Sequence, residues 1–581
     1  MSRSRTDRTS LAGMASWALG WSFINNMTAK LGTLAIGVIL ARLLGPHAFG
    51  TFAVALVAML AVLSFNELGV SLAIVRWEGD PADIAPTVAT ISVLSSVVIY
   101  VGCFLGAPAF ASAMGAPEAA DVIRVLALNV VIDGIVATPA ALIQRYFRQD
   151  RKMIADQVNS WLGAAVSVGL AWNGFGAISL AIGRISGAAA AGILFVAFSP
   201  QPLRFGFDRA KARALFRFGM PLAGASIIVF AVTNVDQLVV GHLLGATALG
   251  FYALALNLAS WPVNMFSLPV RSVAPAVFSR LQHDRAAMRS GFLSAAGMLG
   301  SATLPVCLFI SGSAMPLLGF VYGPRWVPAA HALMWLAVLS GLRILYELVY
   351  DFFVVLARSR VVFTVQLVWL LALVPALIAG ARAGGISGAG LAEVAVAAGV
   401  VLPWYLAELS KVGIGRRALA ARLWLPLLVA AGVGGAAAVA ARTIPVDLAA
   451  LAVGGAVTLA ATGLLAYLMR HALASLRPHL GQRGPADHVR ADAHAAEPGR
   501  GEAAARPRQA AGQPPELRAA SPRPRNSTTP LPAVRDITGP LPVYRESVLA
   551  CREPAGRLPV YQATVVSLRW DPAGGQRSDT N

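Results

Sequence analysis

The chain has 581 residues, of which 57% are apolar and only 13% charged, with a mean hydropathy of +0.66. Soluble domains carry about 25% charged residues, so a chain this long with half that share cannot cover itself with polar surface. A water-soluble globular protein is excluded, and so is wholesale disorder, which needs few apolar residues and high charge. The formal charge of +19 would suggest nucleic acid if it lay on one face, but it is spread over loops, and no nucleic-acid partner is expected. Cys103, Cys307 and Cys551 are too few and too scattered for a disulfide framework or a zinc site, and no metal or other cofactor is expected.

The N-terminal residues 1–11 carry Arg3, Arg5 and Arg8 ahead of an apolar run too long for a signal peptide, so that run reads as a retained span. A helix crossing lipid needs about 20 mostly apolar residues. Such runs occur at 12–40, 49–75, 86–110, 120–143, 153–173, 176–198, 216–240, 247–270, 292–321, 329–356, 361–381, 386–408, 424–441 and 446–469, about fourteen in all. Gly45-Pro46, Gly323-Pro324 and Gly384-Gly385 punctuate them as turns. Lys and Arg gather on the cytoplasmic side of short loops. With the N-terminus inside, alternate loops hold 23 basic residues, among them Arg145, Arg148, Arg151, Lys152, Arg204, Arg209, Lys211, Arg213 and Arg217, while the opposite loops hold Arg42, Arg325, Arg382 and Arg442. Both termini are therefore expected in the cytoplasm, with the chain in the cytoplasmic membrane.

Segment 41–56 (ARLLGPHAFGTFAVAL) recurs as 241–256 (GHLLGATALGFYALAL), with Gly45/Gly245 and Gly50/Gly250 identical and Phe52/Tyr252 similar. Weaker echoes link LALNVV (126–131) to LAVLSG (336–341) and GFGAISLA (174–181) to GGISGAGLA (384–392). Six spans lie between the copies, so both enter the membrane in the same direction, as parallel repeats do in some transporters. The expected fold is all-α and membrane-integral. A first six-helix lobe (12–200) is joined by a basic cytoplasmic linker (201–215) to a second (216–410), with the substrate path between them. Two additional helices (411–470) and a disordered tail (471–581) follow.

ARLLGPHAFGTFA, NELGVSLAIVR (66–76) and VYGPRWVPAA (321–330) together resemble the polysaccharide-transporter branch of the multidrug/oligosaccharidyl-lipid/polysaccharide flippase superfamily. The resemblance covers about residues 12–410. It implies a V-shaped bundle with a central cavity lined mainly by spans 1, 2, 7 and 8. It also implies a flippase that moves an undecaprenyl-pyrophosphate-linked oligosaccharide between leaflets for polysaccharide assembly, with membrane lipids around it. Fold alone leaves open a lipid II flippase or a cation-coupled drug exporter of the same superfamily.

An ionisable group at bilayer depth costs about 2.5–3.5 kcal/mol and needs a partner or a role. Lys30, with Asn25 and Asn26 below it, is either a counter-charge for a pyrophosphate or the partner of an acid such as Glu67 or Asp236. Glu67 reads as a gate or proton site, or as an ion-pair member. Asp236 reads as a coupling carboxylate, or as an interfacial residue. Asn257, Trp261 and Asn264 fall at i, i+4 and i+7, one helical face suited to sugar contact or to interhelical hydrogen bonds. Arg343, Glu347 and Asp351 at i, i+4 and i+8 form a ladder, structural first and gating second. Arg124, Asp133 and Arg184 are further intramembrane charges of lower rank.

No G-x-x-x-x-G-K-[ST] or H-E-x-x-H occurs, and the outer loops are too short for a membrane polymerase, so transport is expected over catalysis. In the tail, TTPLPAVRD (528–536), TGPLPVYRE (538–546) and AGRLPVYQA (555–563) repeat a Leu-Pro core. Such a core suits docking to a cytoplasmic protein partner, or it is compositional drift. A membrane scaffold that recruits biosynthetic enzymes through this tail is the remaining alternative.

Overall fold

The computed structural model describes residues 35–63, 80–146, 148–267 and 284–474, and the isolated positions 32, 74 and 278. Asn25, Asn26, Lys30 and Glu67, the N-terminal segment and the Leu-Pro tail lie outside the described residues. No strand occurs among those described. That is the physical expectation, because backbone polar groups in hydrocarbon must be satisfied within their own segment.

The helices run α1 (Ala35–Leu63), α2 (Pro81–Ala113), α3 (Ala119–Arg145), α4 (Gln149–Trp172), α5 (Ile178–Phe198) and α6 (Arg209–Ala259). They continue as α7 (Arg285–Gly312), α8 (Ala314–Tyr322), α9 (Ala330–Val355), α10 (Ser359–Val396), α11 (Leu402–Lys411), α12 (Arg416–Thr443) and α13 (Asp447–Ala474). Among the described residues, ten helical runs are long and apolar enough to cross a membrane. Three of these runs contain a break where the sequence places a turn. Gly45 has φ 74°, Gly245 has φ 80° and ψ 178°, and Gly384-Gly385 leave helical geometry with φ 58° at Gly385. Positive φ costs a glycine little and other residues more, which explains the choice at all three. The expected single run 292–321 is instead α7 and a separate nine-residue helix, α8. Helix α4 is long enough to cross but is not among the ten, because Asp156, Gln157 and Asn159 fall in its first half.

Asp80, Asp208 and Asp284 cap α2, α6 and α7, their carboxylates accepting from backbone N–H groups of the first turn. The connections gather at two ends. At one, Arg145 donates to the Ile74 carbonyl at 2.8 Å, Lys211 to the Asp83 carbonyl at 2.8 Å, and Gly206 N–H to the Pro86 carbonyl at 3.3 Å. The segment linking α5 to α6 is thus strapped onto α2. This end carries Arg145, Arg148, Arg204, Arg209 and Lys211.

At the other end the two repeat copies meet each other. His47 Nδ1 lies 3.2 Å from Thr247 Oγ1, its own equivalent 200 residues on. A Cβ built on Gly250 would lie 2.5 Å from the Pro46 carbonyl oxygen, and one on Gly50 would overlap the Ala246 carbonyl. The approach is backbone to backbone, and only glycine permits it. The main apolar core spans both copies and continues into α7, α9 and α10.

Candidate functional site

Helices α6, α9 and α10 pack on one another, and each contributes an ionisable or hydroxyl group to their common interior. Tyr252, fully buried on α6 beyond the Gly245 break, donates its hydroxyl to Glu393 Oε1 on α10 at 2.6 Å. Asp236 lies nine residues before Gly245 on the same helix, which is about 13 Å along its axis. It is 6% exposed, beside Tyr252 and Glu393, and its Oδ1 has no hydrogen-bond partner. The charge of Arg343, half-buried on α9, acts on both carboxyls. Two carboxyls, one guanidinium and one phenol therefore share a nearly dry pocket of helix–helix interface. An uncompensated charge at such a place costs several kcal/mol, and the cluster holds two acids to one base.

The same cluster shows what the break at Gly245 is for locally. Asp236 precedes the break and Tyr252 follows it, and the turn of backbone brings both onto α10. Position 52 of the first copy is Phe, which has no hydroxyl to offer. The polar cluster is thus specific to the second copy.

A second, smaller group sits on α3 and α5. Asn129 donates to Asp133 Oδ2 at 2.8 Å, and the Asp133 charge acts on Arg184. The 210 residues that separate 126–131 from 336–341 also separate Asp133 from Arg343, so an acid on α3 facing a base on α5 in the first half stands against a base on α9 facing an acid on α10 in the second.

Of the residues singled out from the sequence, Asp236 and Arg343 come together in the cluster. Asp351 is buried and Glu347 half-buried further along α9, which is regular, so the ladder spacing holds. Asn257 lies on the last turn of α6 and Trp261 and Asn264 follow its end: Ser260 keeps right-handed helical geometry (φ −75°, ψ −11°), the Asn264 N–H donates to the Ser260 carbonyl at 3.0 Å, and Val263–Ser267 form a π-turn. Asn257 and Asn264 are exposed and Trp261 is half-buried. The Asn257 amide donates to the Ala253 carbonyl at 3.1 Å, within its own helix. The sequence does not by itself single out Glu393, although a carboxylate in the interior of the apolar run 386–408 is a visible signal. Tyr252 was visible as a repeat position, but its partner was not.

The sequence profile of the family described as Polysaccharide biosynthesis protein matches residues 39–331, just over half of the chain. The chain belongs to this family. It is 28% identical over 334 residues to the succinoglycan biosynthesis transport protein ExoT of Rhizobium meliloti (strain 1021), covering 56% of this chain and 66% of that protein. It is 25% identical over 394 residues to the lipopolysaccharide biosynthesis protein WzxC of Escherichia coli (strain K12), covering 67% and 80%. The teichuronic acid biosynthesis protein TuaB of Bacillus subtilis (strain 168) is 23% identical over 284 residues, covering 48% and 58%. Among solved structures, the lipid II flippase MurJ in an inward closed conformation superposes with a TM-score of 0.62 at 12% identity, covering 78% of this chain and all of that one. An inward-facing multidrug resistance MATE family transporter gives 0.53 at 18% identity, covering 66% and 94%. At such identities the likeness is one of fold, that of a membrane-embedded helical bundle.

Proposed function

We propose that the protein is a flippase that moves a polyprenyl-pyrophosphate-linked oligosaccharide from the cytoplasmic to the outer leaflet of the cytoplasmic membrane. The observation that carries this is the likeness to ExoT, WzxC and TuaB, which are named for three different polysaccharides while each aligns with this one chain. A carrier with a constant lipid pyrophosphate and a variable glycan unites them. The breaks at Gly45, Gly245 and Gly384-Gly385 support fourteen crossings, in two six-helix lobes with two helices added, and the basic end of the bundle supports cytoplasmic termini. Alternating access follows from one lobe rocking against the other.

Lys30, Asn25 and Asn26 are assigned to the head group, and Asn257, Trp261 and Asn264 to the glycan. The cluster of Asp236, Tyr252, Arg343 and Glu393 is the coupling site. With Arg343 charged, one proton on the carboxyl pair makes the group neutral, and the partnerless Oδ1 of Asp236 is a seat for it. Glu67, Glu347 and Asp351 are assigned to gating. A cytoplasmic partner docks on the Leu-Pro tail.

The test is leaflet accessibility of labelled polyprenyl-pyrophosphate oligosaccharide in vesicles holding the full chain, beside Lys30→Ala. Translocation that the substitution abolishes supports both the function and the head-group assignment. Translocation unchanged by it keeps the function and removes Lys30. Failure to carry the oligosaccharide, with lipid II or a cationic dye carried instead, replaces this reading by one of the other two superfamily activities. Retention of activity after removal of residues 478–581 excludes a pure scaffold.

A further inference from the structure

The end of the bundle where the repeats meet is held by a crossed pair of caps. Arg42 Nε donates to the Val321 carbonyl at 2.8 Å and its Nη2 to the Phe320 carbonyl, sealing the end of α8. His242, the residue 200 positions later, donates from Nδ1 to the Ala113 carbonyl at 2.6 Å, sealing the end of α2. Each copy thus satisfies the terminal carbonyls of a helix that follows the other copy. Helix ends leave carbonyls that need such partners.

Trp326 sits between the copies. It is 1% exposed, donates from Nε1 to the Ala41 carbonyl at 3.0 Å, and meets Phe49 and Phe251 edge-on at centroid distances of 5.4 and 5.9 Å. One aromatic partner comes from each copy. Beside it, Gly50 and Gly250 bring the two backbones together with no side chain of their own between them. Arg42, His47, His242 and Thr247 are all exposed, and water can replace their hydrogen bonds when the copies part.

We infer that this seam is the latch of the outward gate: Arg42 and His242 are crossed bolts, and Trp326 is the wedge that must leave for the path to open to the outside. The inference rests on the flippase reading for the direction of the path, and it adds the residues that hold the outer side shut.

The test uses the full chain with Cys103→Ser and Cys551→Ser, leaving the fully buried Cys307 in place. His47→Cys with Thr247→Cys is bridged by a short bis-thiol linker in native membranes. Bridging is expected to lower oligosaccharide translocation at least tenfold, with recovery on cleavage of a reducible linker. Full translocation by bridged protein overturns the latch.

A second measurement does not depend on the substrate. Ala246→Cys, in the seam, is labelled by a membrane-impermeant maleimide added from outside, with and without Arg42→Ala and Trp326→Ala. Labelling is expected to accelerate severalfold when the bolt and wedge are removed, and an unchanged rate overturns the proposal. If labelling responds in this way while the native protein carries no oligosaccharide, the latch stands and the substrate assignment falls.

Discussion

The hydroxyl of Tyr252 donates to Glu393 at 2.6 Å across the α6–α10 interface, at a position where the first copy of the repeat has Phe52. A single oxygen distinguishes the two copies at this point, and it falls in a buried polar environment, with Asp236 and Glu393 6% and 7% exposed.

Replacing Tyr252 by Phe removes that donor and leaves a buried carboxyl short of a partner. Losing one side of a buried hydrogen bond costs about 1–3 kcal/mol. The expected outcome is a lower unfolding temperature in detergent micelles. Phe52→Tyr, at the equivalent position of the first copy, is not expected to restore it in a double variant.

Asp236→Asn and Glu393→Gln keep the shape of the cluster and remove one negative charge each. If the carboxyl pair carries the coupled proton, either substitution abolishes translocation driven by an imposed proton gradient while leaving exchange between equally loaded leaflets. The readout also involves Arg343, Tyr252, and Glu347 and Asp351 further along α9, so Arg343→Gln is the necessary companion. Equal loss of driven and exchange transport would remove the coupling role.

The glycine seam gives a sharper stability test. Gly50→Ala and Gly250→Ala force a methyl group against backbone carbonyls, and overpacking of this kind costs about 1–3 kcal/mol. Gly102 and Gly106, in the interior of α2, have open space where a Cβ would go. Alanine there is expected to be neutral or to add about 0.5–1 kcal/mol. Thermal unfolding of the four variants under one set of conditions decides the matter.

Asp208 caps α6 with its carboxylate, and the N–H groups of Lys211 and Ala210 hold that carboxyl below its ordinary range. A depressed folded value means the contribution is present above the unfolded value and is lost as pH falls through the folded one. Asp208→Asn keeps a capping oxygen without the titration. The expected result is near-equal stability at neutral pH and a smaller loss of stability for the variant on acidification, measured by unfolding from pH 7 down to pH 3.

Much of the fold was legible because membrane helices announce themselves by length and apolarity, and their turns by glycine. Gly45, Gly245, Gly323 and Gly384-Gly385 all stand where the chain leaves helical geometry. The repeat at 41–56 and 241–256 was legible as identity, although identity does not say that the copies touch. The cluster was half legible. Asp236 and Arg343 stand out as charges in apolar runs, but their meeting depends on how α6, α9 and α10 pack, which no single-helix pattern encodes. Asn257, Trp261 and Asn264 were legible as a spacing, whereas the end of α6 at Ala259 and the π-turn at Val263–Ser267 were not, because their cause lies in surroundings that local spacing does not record.

The seam has one more property. Position 46 of the first copy faces position 250 of the second, position 246 faces position 50, and 47 faces 247. That is the reciprocity of an isologous contact, the form taken by two identical subunits about a two-fold axis. A surface of this kind is complementary to itself, so a single half of the chain already carries both sides of it. Substitutions on this common plan tell the halves apart, among them arginine against histidine at 42 and 242 and phenylalanine against tyrosine at 52 and 252.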